Sequence, residues 1–451
     1  MTFTAQAIAA ATGGALRGGG APPPQEPGGV VTDSRVVGPA DWFVALVGET
    51  HDAHAFLGDV ARRGCAGVVA THVPEGWALP WVEVGDTLVA LQDLGRAVRA
   101  GFDGPVVGIT GSAGKTTTRV MVAELLAALG PVHATRGNLN NHVGVPLTLL
   151  AYTPPAASMV LEMGMNHRGE IAVLQDIGRP TVRLVTNVGP AHVEGCGSLE
   201  GVAAAKQELF DGARPGDVCC VNLDDPFISA MPLPAGARRL TWGRHPESTV
   251  RLVSASVDGA ALTTELHVRT PDGDVRATLP VPGLHLAQNA TGAIAVAHAL
   301  GVPVTTMADA LGRYAPEGMR NRVVHLGGHR VIDDAYNANP TSMEAALRLL
   351  ATLPGPRVAV LGDMLELGAV EEPAHREVLA CAVSLGLDAV HVTGPRMAIA
   401  ARAFAGVQVH ADPETLADAL LPSLAPSTAI LVKGSRGARM ERVTDRLRGA
   451  T

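Results

Sequence analysis

The segment Gly108-Ile-Thr-Gly-Ser-Ala-Gly-Lys-Thr-Thr-Thr118 constrains the fold more than any other part of the chain. The apolar run Val106-Val-Gly-Ile109 leads into it and reads as a buried strand. The residues after it, roughly Thr116 to Leu129, read as a helix, which Gly130-Pro131 ends. A strand, a turn of small residues and a helix in that order open a parallel sheet covered by helices. Small residues let backbone N–H groups approach phosphate oxygens, and the helix start adds a favourable dipole. Lys115 can reach the β- and γ-phosphates, and the Thr116 hydroxyl can ligate Mg²⁺. Thr110, Gly111, Ser112, Ala113, Gly114, Lys115, Thr116 and Thr117 are therefore the candidate nucleotide-binding residues. Ile109 stands where the strict G-x-x-x-x-G-K-T pattern has its first glycine, and the alternative reading is a plain Gly-rich strand–helix turn.

The same alternation continues beyond this point. Met159-Val-Leu161, Arg183-Leu-Val-Thr186 and Val218-Cys-Cys-Val221 read as buried strands with helical stretches between them. Residues 249–281 alternate polar and apolar around a Pro271-Asp-Gly273 turn, the pattern of an antiparallel ribbon. A helix follows from about Ala287 to Leu300. After residue 315 a new α/β set begins, with strands near Arg330–Ile332, Val358–Leu361, Ala389–Val392 and Ala429–Val432. Helices such as Met343–Leu353 and His375–Leu385 separate them. Before the Gly-rich turn, Val31–Arg35 and Trp42–Leu46 read as short strands, and Asp86–Ala100 as a helix that breaks at Gly101-Phe-Asp-Gly-Pro105. Residues 18–29, GGGAPPPQEPGG, read as a loop. The pattern predicts an α/β chain of three domains: a smaller N-terminal α/β domain over 1–102, a central parallel-sheet ATPase domain over 103–314, and a Rossmann-like α/β domain over 315–451.

Composition narrows the function. The net charge of −8 argues against a broad nucleic-acid face, which needs clustered basic residues. The five cysteines, Cys65, Cys196, Cys219, Cys220 and Cys381, are odd in number and form no C-x-x-C pair. A reducing compartment fits them better than a disulfide framework or a zinc site. The first basic residue is Arg17, unlike the charged start of a signal peptide. No apolar run reaches the roughly 18 residues that span a bilayer. A cytoplasmic protein is expected, with no nucleic-acid or membrane partner.

Glu162 follows a buried strand, on the side where ligands bind in open α/β sheets, and a carboxylate there could hold Mg²⁺. His192 follows the strand ending near Asn187, again on the crevice side, and Lys206 lies on the next helix in Ala-Ala-Ala-Lys-Gln-Glu. Alone, each has an ordinary reading: Glu162 as a helix-cap partner, His192 as a loop histidine, Lys206 as a solvated helix lysine.

Together with the Gly-rich turn, several further segments resemble the Mur ligase family, in particular its D-alanyl-D-alanine-adding type. They are Gly137-Asn-Leu-Asn-Asn-His-Val-Gly-Val-Pro146, Glu162-Met-Gly-Met-Asn-His-Arg-Gly-Glu-Ile171 and Asn187-Val-Gly-Pro-Ala-His-Val-Glu-Gly-Cys-Gly-Ser198. The last third adds Asp333-Asp-Ala-Tyr-Asn-Ala-Asn-Pro340, Leu361-Gly-Asp-Met-Leu-Glu-Leu-Gly368 and Val432-Lys-Gly-Ser-Arg436. The first domain contributes Asp33-Ser-Arg35, Phe43-Val-Ala-Leu-Val-Gly-Glu49 and Asp52-Ala-His-Ala-Phe56. The resemblance runs from about residue 30 to 447, with the motifs in the family's order.

The resemblance implies that the first domain holds the UDP-sugar end of a UDP-N-acetylmuramoyl-tripeptide, the second binds ATP, and the third closes over the site. It implies ligation of D-alanyl-D-alanine to that tripeptide through an acyl phosphate, with two Mg²⁺ ions and a carbamylated Lys206. Lys115 and Thr116 would serve the γ-phosphate and its Mg²⁺, while Glu162, His192 and Lys206 would serve the second ion. Lys115, Lys206 and His192 are thus the expected catalytic residues. Asn289 would contact adenine, and Arg322 and Asp334 the nucleotide from the third domain. Asn140 and Asn141 would contact the muramoyl peptide, and Ser34 and Arg35 the uridine diphosphate. One departure is Gly-Met-Arg-Asn-Arg322, where relatives have a simple Gly-Arg-Met: either Arg320 or Arg322 can be the functional one, with Arg322 preferred by its distance to Asp334. Tyr336-Asn-Ala-Asn-Pro340 stands where the ligase adding the third peptide residue has an Asp-Asn-Pro-Arg type motif. His142, His167 and His192 are candidate general bases by location. A monomer is expected. The competing readings are a Mur-type ligase with another amine donor and a phosphate-loop protein that binds without ligating.

Overall fold

The computed structural model describes residues 3–18, 28–48 and 50–449. Residues 19–27 of the expected Gly/Pro loop and Glu49 lie outside the described residues. The strands form three sheets of five, nine and six strands. The chain divides into two compact units, one of Met1–Gly108, Pro131–Met163 and Ala172–Pro180, the other of Ile109–Gly130, Gly164–Ile171 and Thr181–Thr451.

In the first unit, the five-stranded sheet runs Ala15–Arg17, Trp81–Glu83, Gly67–Ala70, Trp42–Val44, Val30–Val31. Only the first pairing is antiparallel. Phe43, Ala45, Val68 and Ala70 pack with Leu57 and Val60 into one core. The expected strand Val31–Arg35 is shorter than its sequence suggests. Asp33 turns the chain by accepting the Arg35 backbone N–H at 2.9 Å, a local bond that competes with a sheet ladder. The Asp52-Ala-His-Ala-Phe56 motif is structural here. Asp52 caps a short 3₁₀ turn and contacts His54 Nδ1 at 2.6 Å, while His54 Nε2 accepts the Thr71 backbone N–H at 3.0 Å. The helix expected over 86–100 is Thr87–Ala100, with Asp86 as its cap. Strand Val132–Ala134 pairs in parallel with Ser158–Glu162.

In the second unit, Val182–Val185, Val218–Asn222, Arg238–Gly243 and Val250–Asp258 run parallel. Val250–Asp258, Thr263–Thr270 and Gly273–Leu279 then form the expected antiparallel ribbon, with three strands. The six-stranded sheet runs Arg322–Leu326, His329–Asp334, Ala429–Lys433, Arg357–Gly362, Ala389–Thr393, Val407–His410, parallel after its first pairing. Its strands alternate between two cores: Val358 and Val360 face one, Ala359 and Leu361 the other. A sheet apolar on both faces needs helices on both, as the sequence pattern predicts. Among the described residues no helix is long and apolar enough to cross a membrane.

Arg183 is 1 % exposed, yet it bonds to Asp217 Oδ2 and to the Gly212 carbonyl, each at 2.7 Å. Removing the carboxylate strands a buried guanidinium, which costs about 3–5 kcal/mol. Asp217→Ala is therefore expected to lower the denaturant midpoint of this unit, read by intrinsic fluorescence of Trp242 on the neighbouring parallel strand. An unchanged midpoint would contradict the account.

Candidate functional site

The Gly-rich turn follows strand Val106–Thr110 and opens helix Lys115–Leu126. Its shape is set by the segment Thr186–Gly189. Thr186 N–H donates to the Thr110 carbonyl at 2.9 Å, and Ser112 N–H to the Asn187 carbonyl at 3.0 Å. Ala113 N–H donates to Asn187 Oδ1 at 2.9 Å, while Thr186 Oγ1 and Asn187 Nδ2 return bonds to the Ala113 carbonyl at 2.7 and 3.0 Å. Ser112 Oγ and Gly189 exchange two bonds of 2.9 Å. Two glycines are obligatory. A Cβ on Gly111 (φ +152°) would stand 1.8 Å from Thr186 Oγ1, and one on Gly114 (φ +79°) 2.5 Å from Asn289 Oδ1. The loop's shape is thus fixed by bonds and close contacts within the protein itself, which is what electrostatic preorganisation requires. Lys115 folds over it, with Nζ donating to the Gly111 carbonyl at 2.7 Å. The sequence reading missed Thr186, Asn187 and Gly189 as loop supports, although they lie in or beside a segment it singled out.

Lys206 is not a solvated helix lysine. It sits on helix Leu199–Asp211 and is 1 % exposed. Burial first, and the charge of Lys115 second, hold its amine well below the ordinary lysine range. His192 caps the short helix Val193–Cys196 in the left-handed conformation. Its Nδ1 lies 2.7 Å from Glu366 Oε2. The His192 ring beside it holds the Glu366 carboxyl below the ordinary range, and Lys115 acts in the same direction.

Asn289 lies on helix Leu284–Ala299, beside Gly114 of the loop as noted above. At the start of that helix, burial pushes His285 down to about 4, so its ring is neutral near pH 7. Asp334 ends strand His329–Asp334. It receives Lys433 Nζ at 2.5 Å and the Asn321 N–H at 2.9 Å. Lys433, itself 2 % exposed, was not foreseen as a partner. Arg322 is exposed and faces Asp333 in register, not Asp334. The Arg320 guanidinium instead lies 3.6 Å from the centre of the Tyr336 ring. Asn339 Nδ2, from the same Tyr-Asn-Ala-Asn segment, donates to the Ser112 carbonyl at 3.2 Å.

In the first unit, Glu162 ends strand Ser158–Glu162 and is 2 % exposed. Its N–H donates to Thr135 Oγ1 at 3.0 Å, and Asn140 Nδ2 donates to its Oε1 at 2.8 Å. Asn140 thereby orients the carboxylate. Asn141 accepts the Gly144 N–H at 2.8 Å, at the start of helix Gly144–Leu150. Ser34 is half-buried. Arg35 is exposed and wraps Asp33 with Nε and Nη2 at 2.9 and 2.7 Å, an embrace that holds the Asp33 carboxyl at about 2. His142 is exposed in this unit, and His167, in the second, lies 3.3 Å from Glu170.

The middle-domain model of the Mur ligases matches residues 109–297, and the glutamate-ligase-domain model of the same family matches 319–436. The chain is 39% identical over 419 residues to a UDP-N-acetylmuramoyl-tripeptide–D-alanyl-D-alanine ligase of Escherichia coli K12, covering 92% of each chain. It superposes on a crystal structure of MurF from Acinetobacter baumannii with a TM-score of 0.91 at 31% identity, covering 99% of both chains. A MurF ligase of Thermotoga maritima in complex with ADP matches at a TM-score of 0.84 and 28% identity, over 93% of this chain and 97% of that one. With two family domains matched in sequence and the phosphate loop built as described, the chain belongs to the Mur ligase family.

Proposed function

We infer that the chain is an ATP-dependent ligase that joins D-alanyl-D-alanine to UDP-N-acetylmuramoyl-tripeptide, releasing ADP and phosphate. The observation that carries this reading is the preformed loop 110–117 with Lys115 over it and the buried Lys206 nearby. The activity of the Escherichia coli relative supports the choice of substrates. A free carboxylate does not acylate amines at useful rates, because oxide is a very poor leaving group. Its attack on the ATP γ-phosphorus gives an acyl phosphate and ADP. The neutral amine of D-alanyl-D-alanine then adds to the carbonyl carbon, and the tetrahedral intermediate expels phosphate. Loop N–H groups and Lys115 offset the repulsion between the carboxylate and the triphosphate and hold the reactants in line.

Thr116 and Glu162 are hard oxygen donors of the kind Mg²⁺ takes beside phosphate oxygens, and a carbamate on Lys206 would add another, so these residues fit the implied ions. When bound, Mg²⁺ would neutralise charge on the phosphates. His192 completes the proposed set. We assign the UDP-sugar end of the substrate to residues 1–102, with Ser34 and Arg35 at the uridine diphosphate, and the muramoyl peptide to Asn140 and Asn141. ATP goes to 103–314, with Asn289 at adenine, and 315–451 closes on the nucleotide. Asp334 is assigned to the nucleotide, held in place by Lys433. The five free cysteines support the cytoplasm as the site of action, and we take the working form to be a monomer.

Of the two arginines, we favour Arg320 as the nucleotide contact, since its guanidinium lies on the Tyr336 face while Arg322 is exposed and pairs in register with Asp333. Arg320→Ala is expected to raise the KM for ATP about tenfold, the equivalent of ~1.4 kcal/mol, and Arg322→Ala to leave it within about twofold. Steady-state kinetics with ATP varied checks this, and the reverse ranking would restore Arg322.

The overall reading is tested by incubating the protein with ATP, Mg²⁺, UDP-muramoyl-tripeptide and D-alanyl-D-alanine and weighing the product. The expected mass is the sum of the two peptides less one water, with phosphate release that requires both. Nucleotide binding without ligation would reject the enzyme, and a product with a different amine would reject the donor.

A further inference from the structure

Among the described non-glycine residues, seven have a left-handed backbone, and two of these seven meet: His192 at φ +60° and Glu366 at φ +64°. Such conformations persist only where the surroundings over-determine them, and they gather at functional sites. Here the surroundings can be named. The Glu366 loop follows strand Arg357–Gly362. Met364 N–H donates to His375 Nε2 at 3.0 Å and Leu365 N–H to Ser435 Oγ at 2.9 Å, while Leu367 is fully buried. Beyond the side-chain contact, Glu194 N–H reaches the Glu366 carbonyl at 3.3 Å, and a Cβ on Gly368 would stand 3.1 Å from Glu194 Cα. The loop 363–368 is thus fitted onto the His192 turn through backbone as well as side chain.

The His192 Nδ1 is buried, and the Glu366 carboxylate stands 2.7 Å away. The Nδ1 N–H is not aligned on that oxygen, so the pair is in contact without a formed hydrogen bond; the carboxylate is half-exposed, and a turn about its own side chain would complete the bond. An imidazole whose Nδ1 carries the proton presents Nε2 as its lone pair, and the partner of one nitrogen decides the role of the other.

We propose that Glu366 is the positioning residue of His192: it holds the proton on Nδ1 and turns Nε2 outward as the acceptor. The functional part of this rests on the ligase reading given above; the positioning part does not. Placement of the 361–368 loop then sets the chemical state of a residue on the 187–198 loop.

The test is ¹⁵N spectroscopy of histidine-labelled, ligand-free full-length protein, with His192 assigned by its absence in His192→Gln. The wild type should show Nδ1 protonated and Nε2 bare. Glu366→Ala should move the proton to Nε2 in a large part of the population. Glu366→Gln, which still offers an oxygen acceptor, should keep the wild-type form. In ligase assays Glu366→Ala should lower kcat about tenfold or more, the usual effect of losing an orienting carboxylate, with KM values little changed, and Glu366→Gln should recover most of it. The Glu366 side chain is half-exposed, and circular dichroism of each variant reports any loss of fold. An unchanged tautomer in Glu366→Ala overturns the proposal, as does equal loss of kcat in the Gln and Ala variants. A tautomer shift in a protein that ligates nothing would uphold the positioning role and reject the ligase reading instead.

Discussion

Lys115→Ala is expected to lower turnover at saturating ATP by at least ~10²-fold while the protein stays folded. The geometry separates the two effects. The loop is held by Thr186, Asn187, Gly189 and Ser112, none of which depends on the lysine side chain. Lys115 is half-buried, and its Nζ donates to the Gly111 carbonyl. Its removal therefore takes away one preorganised positive charge and leaves the loop standing. That charge matters most when a carboxylate approaches a triphosphate, because two anions must share one small volume. Lys115→Arg should fail as well, since a planar fork does not replace a point charge in a tight loop. Single-turnover phosphate release, with a thermal melt as the fold control, makes the check. Near-wild-type turnover in Lys115→Ala would remove the lysine from the mechanism.

The phosphate loop was legible because its information is local: a short apolar strand, small residues and a helix start lie within a dozen positions. The two-faced sheet of the last third was legible for a similar reason, since Val358-Ala-Val-Leu361 is apolar at every position. Strands with mixed composition were not. Val407-Gln-Val-His410 and Arg238-Arg-Leu-Thr-Trp-Gly243 carry polar residues at the sheet edge or on exposed faces and look like loops. Long-range partners were equally hidden. Lys433 and Asp334 lie 99 residues apart, and no periodicity links them. The burial of Lys206 did leave a signal that went unused. Val202, Ala205, Lys206 and Leu209 recur at helical spacing and are all buried, so the lysine lies on the apolar stripe of its own helix.

That burial is what makes Lys206 the most informative residue to change. A fully buried ammonium beside Lys115 is disfavoured twice, by desolvation and by like charge, so the amine is neutral far more readily than a surface lysine. A neutral amine is the form that adds to CO₂: its nitrogen lone pair bonds to carbon, a proton is lost, and a carbamate anion results. The product replaces an amine with an anion bearing two hard oxygens, the donor type Mg²⁺ prefers. Lys206→Ala should lose ligase activity by about 10²-fold or more, and Lys206→Arg should lose a comparable amount, because guanidinium forms no carbamate. A short carboxylic acid supplied to the Ala variant, sized to the deleted side chain, should restore part of the rate, and a short alkylamine should restore none. Labelled bicarbonate gives the direct measurement. A ¹³C carbamate resonance should appear in the wild type and be absent from both variants. An active wild-type enzyme that shows only a bare amine at Lys206, by that signal or by electron density, would refute the modification; a fully active Lys206→Arg would refute any need for it.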